Sequence, residues 1–170
     1  MMFNTDKYDL ICVVLCGIFL VSPCRSEAEE GLQDKIYRVK RLKAIDSVLK
    51  VSVGDQAPDS TLPGISGNPV SLRDFRGAKT VVLSFVPAAW TPVCSGQWPG
   101  YNIAEDYFKK YDAVLLGITV DNLPTLHAWT EAMGGVWFPV LSDFWPHGKV
   151  ARTFGVLRGD GVTERALFII

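Results

Sequence analysis

Residues 80–97 read TVVLSFVPAAWTPVCSGQ, a strand pattern that is followed at once by the start of a helix. Its first part, residues 80–86, is apolar and rich in β-branched side chains, which predicts a strand buried on both faces. Two prolines follow, and a helical pattern begins at about Ser95. Cys94 stands at this junction and is the only cysteine after residue 24.

Beyond this stretch the chain alternates between apolar strands and helices. Further strands are predicted at 113–120, 136–141 and 166–170, and helices at 95–111, about 122–133 and 147–154. Ahead of them, residues 53–72 are typical of a hairpin with Gly, Asn and Pro turns. Uninterrupted apolar strands that alternate with helices predict an α/β domain whose central sheet is covered on both faces.

Composition and charge exclude several classes of protein. The chain has 170 residues, of which 48% are hydrophobic and 21% charged, as expected for one globular domain. Its net charge of −1 and the lack of a long Lys/Arg run argue against nucleic-acid binding. The cysteines form no CxxC pair and the two histidines lie far apart, so we expect neither a metal site nor a cofactor.

The first residues resemble a targeting segment. The apolar run from Leu10 to Val21 is short for a membrane span, which needs about 20 residues, and it fits a secretory signal. We therefore expect export, with cleavage near residues 22–28. Lipid anchoring at Cys24, an uncleaved anchor and a wrongly assigned start codon are the alternatives. The predicted organisation is a leader at 1–24, a charged linker or helix at 25–52 and a folded domain at 53–170.

Cys94 is the candidate reactive residue. In α/β sheets, ligand sites lie beyond the carboxyl ends of the strands, and Cys94 follows the predicted 80–86 strand. Unpaired N–H groups at the start of a helix favour an anion such as a thiolate, the nucleophilic form of cysteine. Thr91 lies one turn back and can offer its hydroxyl. The residues alone leave a buried structural cysteine as the alternative.

The stretch PAAWTPVC at 87–94 resembles the peroxiredoxin pattern Pro-x-x-x-Thr/Ser-x-x-Cys. The resemblance extends from VGDQAPD at 53–59 to RALFII at 165–170. It implies a thioredoxin-like fold, with a central mixed sheet and helices on both faces, and reduction of hydrogen peroxide or organic hydroperoxides. Domains of this type continue after the last predicted strand, so we expect their C-terminal elements to be absent from this sequence.

The resemblance also implies roles for individual residues. Cys94 corresponds to the cysteine that attacks the peroxide O–O bond and becomes a sulfenic acid. Thr91 would hydrogen-bond a peroxide oxygen, Pro87 would shield the thiolate from water, and Arg165 would reach both the sulfur and the peroxide. Gln97 matches a polar position in the first helical turn. The alternatives are a helix cap for Thr91, a strand end for Pro87 and a solvated residue for Arg165.

The number of cysteines bears on the mechanism. No thiol follows Cys94, and cleavage of the leader would leave one cysteine. This predicts an antioxidant peroxidase of the one-cysteine type, which needs an external reductant such as a small thiol or a thioredoxin-like protein. A tail beyond Ile170 with a resolving cysteine would change this prediction. A homodimer or higher oligomer, and a membrane tether through the N-terminus, stay open.

Two other functions compete with this interpretation. A thioredoxin-like disulfide oxidoreductase would carry Trp-Cys-x-x-Cys at this strand end, but Thr91 occupies the place of the first cysteine. Exchange through a CxxC pair is then impossible. A non-enzymatic interaction domain or a holdase is the other alternative, which an assay of peroxide consumption would separate from an enzyme.

Overall fold

The computed structural model describes residues 27–38 and 44–170. The chain begins there with helix α1 (Glu27–Lys35) and a hairpin of strands β1 (Thr61–Pro63) and β2 (Pro69–Ser71), followed by a 3-10 turn at Leu72–Phe75. The remaining elements are β3 (Thr80–Phe85), α2 (Pro92–Ile103), α3 (Glu105–Lys110), β4 (Ala113–Thr119), α4 (Leu123–Ala132), β5 (Val140–Ser142), α5 (Lys149–Phe154) and β6 (Ala166–Ile169).

The central sheet has four strands in the order β5-β4-β3-β6. Strands β3, β4 and β5 are parallel, and β6 runs antiparallel to β3. The pairing of Phe85 with Ala166 brings the start of β6 beside the carboxyl end of β3. This mixed sheet confirms the predicted α/β, thioredoxin-like arrangement.

Successive residues of the central strands face opposite sides of the sheet, and each side has its own core. On one side, Leu83 and Phe85 of β3 pack with Phe154 of α5. On the other side, Trp98 of α2 and Trp129 of α4 stack with ring centroids 4.7 Å apart. Helices therefore cover both faces, which explains why β3 and β4 are apolar along their whole length.

The segment before the hairpin packs against the domain. Leu32 and Ile36 are buried in the same core as the two stacked tryptophans. The Tyr37 N–H donates to the Trp90 carbonyl oxygen at 2.8 Å. The predicted leader at 1–24 lies outside the described residues, and within those residues no helix has the length and hydrophobicity that a membrane crossing requires.

The main differences from the sequence prediction concern element boundaries. Helix α2 begins at Pro92 and not at Ser95, because a proline in the first helical position has no N–H bond to lose. The predicted helix 95–111 is two helices, since the Ala104 N–H bonds to the nearer Tyr101 carbonyl and ends the α-helical pattern. Strand β5 is confined to three residues after Pro139, which cannot donate to a ladder.

Candidate active site

Cys94 lies in the first turn of α2, beyond the carboxyl end of β3. Thr91 is the N-cap in an extended conformation, Pro92 is the first helical residue and Cys94 the third. The N–H groups of this turn have no helical acceptors, so they present partial positive charge to their surroundings. The thiol itself is fully buried.

The structure brings Arg165 to Cys94 across 71 positions of sequence. The Phe85–Ala166 pairing sets Arg165 at the start of β6, next to the helix that carries the thiol. Arg165 Nη2 donates to Cys94 Sγ at 3.3 Å, and Nη1 donates to Gln97 Oε1. One guanidinium group therefore binds both the sulfur and a side chain of the same helical turn.

Thr91 directly precedes the first helical residue, and its hydroxyl hydrogen-bonds the loop rather than the sulfur or the helix. Thr91 Oγ1 donates to the Ala88 carbonyl oxygen at 2.9 Å, and no side-chain capping bond forms at the start of α2. Thr91 thus occupies the N-cap position that the alternative role gives it, but its side chain makes no capping bond. The lone pairs of the hydroxyl oxygen stay available to a donor such as a peroxide O–H.

Pro87 is half-buried in the loop 86–91 between β3 and α2. Three contacts fix this loop. The Ala89 N–H donates to Asp121 Oδ2 at 2.8 Å, the Trp90 carbonyl accepts from Tyr37, and Thr163 Oγ1 donates to the Val86 carbonyl at 2.7 Å. Trp90 also adopts a positive φ of 61°, which bulky residues rarely do and which the surrounding contacts must hold in place.

Asp121 is a supporting residue whose role the sequence did not reveal. The sequence offers Asp121 or Asn122 as the cap of a helix with Pro124 in its first turn, and in the structure Asn122 caps α4 by accepting from the Thr125 N–H. Asp121 instead bonds the Ala89 N–H and the Thr119 hydroxyl. Its position two residues after the end of β4, the neighbour of β3 in a parallel sheet, is the signal that could have identified it.

A second set of polar side chains continues from Arg165 away from the thiol. Gln97 Nε2 donates to the Tyr101 hydroxyl at 2.6 Å, and this hydroxyl lies 3.4 Å from Ser84 Oγ on β3. Tyr101 was not predicted as a site residue. The spacing of four residues between Gln97 and Tyr101, which puts both on one face of a helix, was the available signal.

The arrangement suits nucleophilic chemistry at sulfur. A cationic donor and the start of a helix both stabilise a thiolate, and the same donors can stabilise negative charge on a departing oxygen. Within residues 27–38 and 44–170, no group of three or more His, Cys, Asp or Glu side chains could hold a metal ion. Around the thiol, the structure places the hydrogen-bond donors of Arg165 and of the first turn of α2, with the Thr91 hydroxyl in the residue before that turn.

Comparisons with known proteins agree with this chemistry. Residues 53–170 match the model of the AhpC/TSA family. The chain is 39% identical to alkyl hydroperoxide reductase E of Mycobacterium tuberculosis over 71% of this chain and 78% of that protein. It resembles the solved structure of reduced Plasmodium vivax 2-Cys peroxiredoxin, with a TM-score of 0.64 and 31% identity over 69% of this chain and 77% of the other.

A further solved structure, peroxidoxin BcpB from Mycobacterium tuberculosis, has a TM-score of 0.62 and 33% identity to this chain, with the same coverage of 69% and 77%. The family match at residues 53–170 covers the part of the chain that holds the sheet and Cys94. The chain therefore belongs to the AhpC/TSA family and is a thiol-dependent peroxidase of the peroxiredoxin type, with a peroxide as substrate and a thiol as reductant.

Proposed function

We propose that Cys94 is the nucleophile of this peroxidase and that Arg165 activates it. The observation that carries the proposal is the 3.3 Å hydrogen bond from Arg165 Nη2 to Cys94 Sγ at the first turn of α2. The Cys94 thiolate attacks one peroxide oxygen, so an S–O bond forms as the O–O bond breaks. Cys94 becomes a sulfenic acid, and the departing oxygen leaves as an alkoxide or hydroxide that takes up a proton.

Arg165, Thr91 and Pro87 have separate roles in this step. Arg165 holds the thiolate and faces the charge that moves from sulfur to the departing oxygen. The free lone pairs of the Thr91 hydroxyl accept the peroxide O–H, because its own proton is already used by Ala88. Pro87 limits the access of water to the sulfur, and its half-buried position in the fixed loop supports this role.

The catalytic cycle that we propose uses one cysteine. Cys94 is the only cysteine among the described residues, and the other three cysteines of the sequence lie within the first 24 positions. An external thiol then attacks the sulfenic acid, which releases water and leaves a mixed disulfide. A second external thiol breaks that disulfide, restores the Cys94 thiol and leaves with the first thiol as an oxidised pair.

Two variants separate this cycle from its alternatives. Cys94→Ser should abolish peroxide consumption in the presence of a small thiol, since serine cannot be oxidised to a sulfenic acid. The triple variant Cys12→Ser/Cys16→Ser/Cys24→Ser should keep the wild-type turnover, because none of these residues resolves the sulfenic acid. Activity in Cys94→Ser would end the proposal for the nucleophile, and loss of turnover in the triple variant would replace the one-cysteine cycle by a two-cysteine cycle.

We also propose that the protein works outside the cytoplasm. The apolar run from Leu10 to Val21 supports this location, as does the polar, charged sequence that follows it. Fractionation of the host and N-terminal sequencing should find the protein in an extracytoplasmic fraction with an N-terminus near residues 23–29. Membrane association with an intact N-terminus would instead support a tether, and a cytosolic form that keeps Met1 would contradict export.

A further inference from the structure

The peptide unit between Ala88 and Ala89 joins Thr91 to Asp121. Its carbonyl oxygen accepts from Thr91 Oγ1 at 2.9 Å, and its N–H donates to Asp121 Oδ2 at 2.8 Å. The C=O and N–H groups of a trans peptide point in opposite directions, so one rigid plane lies between the hydroxyl and the carboxylate. Among the described residues, this unit makes no other hydrogen bond.

The Asp121 carboxylate decides which way this peptide unit faces. A carboxylate only accepts hydrogen bonds, so it holds the Ala89 N–H but would oppose the Ala88 carbonyl oxygen if the unit turned over. The Thr91 hydroxyl makes no such choice, because it can donate to a carbonyl or accept from an N–H. The orientation of the unit therefore depends on Asp121.

Asp121 is itself fixed by the sheet and not by the loop. Thr119 Oγ1 accepts from the Asp121 N–H and donates to Asp121 Oδ2, both at 2.8 Å. Ser142 Oγ donates to the Asp121 carbonyl oxygen at 2.6 Å. Thr119 and Ser142 are buried at the ends of β4 and β5, so the carboxylate keeps its place whichever way the loop faces.

The orientation of the peptide unit sets the direction of the Thr91 proton. A carbonyl oxygen has no proton, so the hydroxyl has to donate to Ala88, and its lone pairs stay available to a peroxide O–H. If the unit turned over, the hydroxyl would accept from the Ala89 N–H instead. Its own proton would then be free to face the peroxide O–H, and two donors would oppose each other.

We propose that Asp121 is a positioning residue for the peroxidase reaction, which holds the Ala88–Ala89 peptide unit so that the Thr91 hydroxyl accepts the peroxide O–H. This role rests on the proposed functions of Cys94 and Thr91, and it belongs to a residue that is bonded to neither the thiol nor the peroxide. Stabilisation of the thiolate by Arg165 does not pass through Asp121. Asp121 should therefore matter for the reaction with a peroxide and not for the reactivity of the thiolate in general.

This difference between two reactions of Cys94 supplies the test. In the full chain, the rates of oxidation by hydrogen peroxide and of modification by methyl methanethiosulfonate, which carries no hydrogen-bond donor, are measured by peptide mass analysis. Asp121→Ala should slow oxidation about three- to tenfold, as expected for the loss of one hydrogen bond that orients a reacting group. Modification should stay within about twofold of wild type, because Arg165 still stabilises the thiolate.

A second background shows whether Asp121 acts through the hydroxyl. Combined with Thr91→Val, Asp121→Ala should change the rate of oxidation by less than about twofold, since the group that it orients is already absent. Asp55→Ala is the matched control, because Asp55 is an exposed aspartate whose carboxylate also accepts one backbone N–H, from Ser52 at 2.7 Å. It should leave both rates unchanged.

The outcomes separate this role from the function on which it rests. A loss confined to oxidation and absent in the Thr91→Val background supports positioning, whereas equal slowing of both reactions, independent losses in the two backgrounds or a wild-type rate overturns it. If Asp121→Ala does not fold, Asp121→Leu keeps the volume without an acceptor; the same loss is expected, and a wild-type rate again overturns the role. Oxidation at the wild-type rate in Thr91→Val alone would instead contradict the proposed function of Thr91.

Discussion

Replacement of Arg165 by alanine should slow the oxidation of Cys94 while leaving the fold intact. The guanidinium donates to Sγ at 3.3 Å and to the Gln97 oxygen, but most of its other surroundings are solvent because Arg165 is exposed. A hydrogen bond between charged groups contributes about 1.5 to 3 kcal/mol. If this energy acts in the transition state, the rate of oxidation should fall by a factor of about 10 to 150, nearer the lower value because solvent screens an exposed charge.

The assay is a single-turnover oxidation of Cys94 by hydrogen peroxide, in excess over reduced protein. The rate is followed by tryptophan fluorescence, because Trp98 lies one helical turn from the thiol. Arg165→Lys serves as the conservative variant: it keeps the charge but cannot fork between the sulfur and Gln97, so its rate should lie between those of wild type and Arg165→Ala. Arg152→Ala is the matched control, since Arg152 is an exposed arginine of α5 on the opposite face of the sheet. If Arg165→Ala oxidised as fast as Arg152→Ala, the reasoning on activation would be refuted.

Three further predictions concern the scaffold. Gly117→Ala should lower the free energy of unfolding by about 1 to 3 kcal/mol in urea titrations, because a Cβ there would lie 2.8 Å from the Trp98 ring; an unchanged midpoint would contradict the packing. Leu32→Ala should cost about 2 to 3 kcal/mol in the same assay, since Leu32 is 5% exposed in the core, and a loss below about 0.5 kcal/mol would show that α1 does not pack there. Burial raises the pKa of Asp143 above its ordinary value of 3.8, so the folded state favours the protonated carboxyl. This contribution to stability is fully present below pH 3.8 and is lost as the pH rises through the higher folded pKa. Wild type should therefore lose stability relative to Asp143→Asn between pH 4 and neutral pH, and parallel pH profiles of the two unfolding free energies would refute this.

Much of the fold could be predicted because its elements carry local signals. Apolar runs marked β3 and β4, and the sequence around residue 122 marked the start of α4 through its capping residue and a proline in the first turn. Boundaries were less accurate where backbone hydrogen bonding decides them. The interruption at Ala104 depends on which carbonyl its N–H reaches, and no composition signal marks that choice.

The site residues also divide into those that have a local signal in the sequence and those that do not. Its thiol and threonine follow one another in a single stretch, and the strand-end position of Cys94 indicated reactivity before any contact was known. The approach of Arg165 was expected only from the resemblance, since the sheet pairing that delivers it spans 71 positions. Contacts such as Asp121 to the Ala89 N–H and Gln97 to Tyr101 have only weak signals in the sequence, a strand-end position and a spacing of four residues, because a polar side chain has many potential partners before the chain folds.

The identity of the oxidation product at Cys94 distinguishes the one-cysteine cycle from a two-cysteine cycle in a single experiment. The reduced full chain is treated with one equivalent of hydrogen peroxide, trapped with a sulfenic-acid reagent and examined by peptide mass analysis without reduction. We expect the reagent on the peptide that contains Cys94 and no disulfide between Cys94 and another cysteine of the chain, with excess peroxide converting the same residue to irreversible acids. A disulfide from Cys94 to a second cysteine would contradict the one-cysteine cycle, and an unmodified Cys94 in protein that has consumed peroxide would contradict its role as the nucleophile.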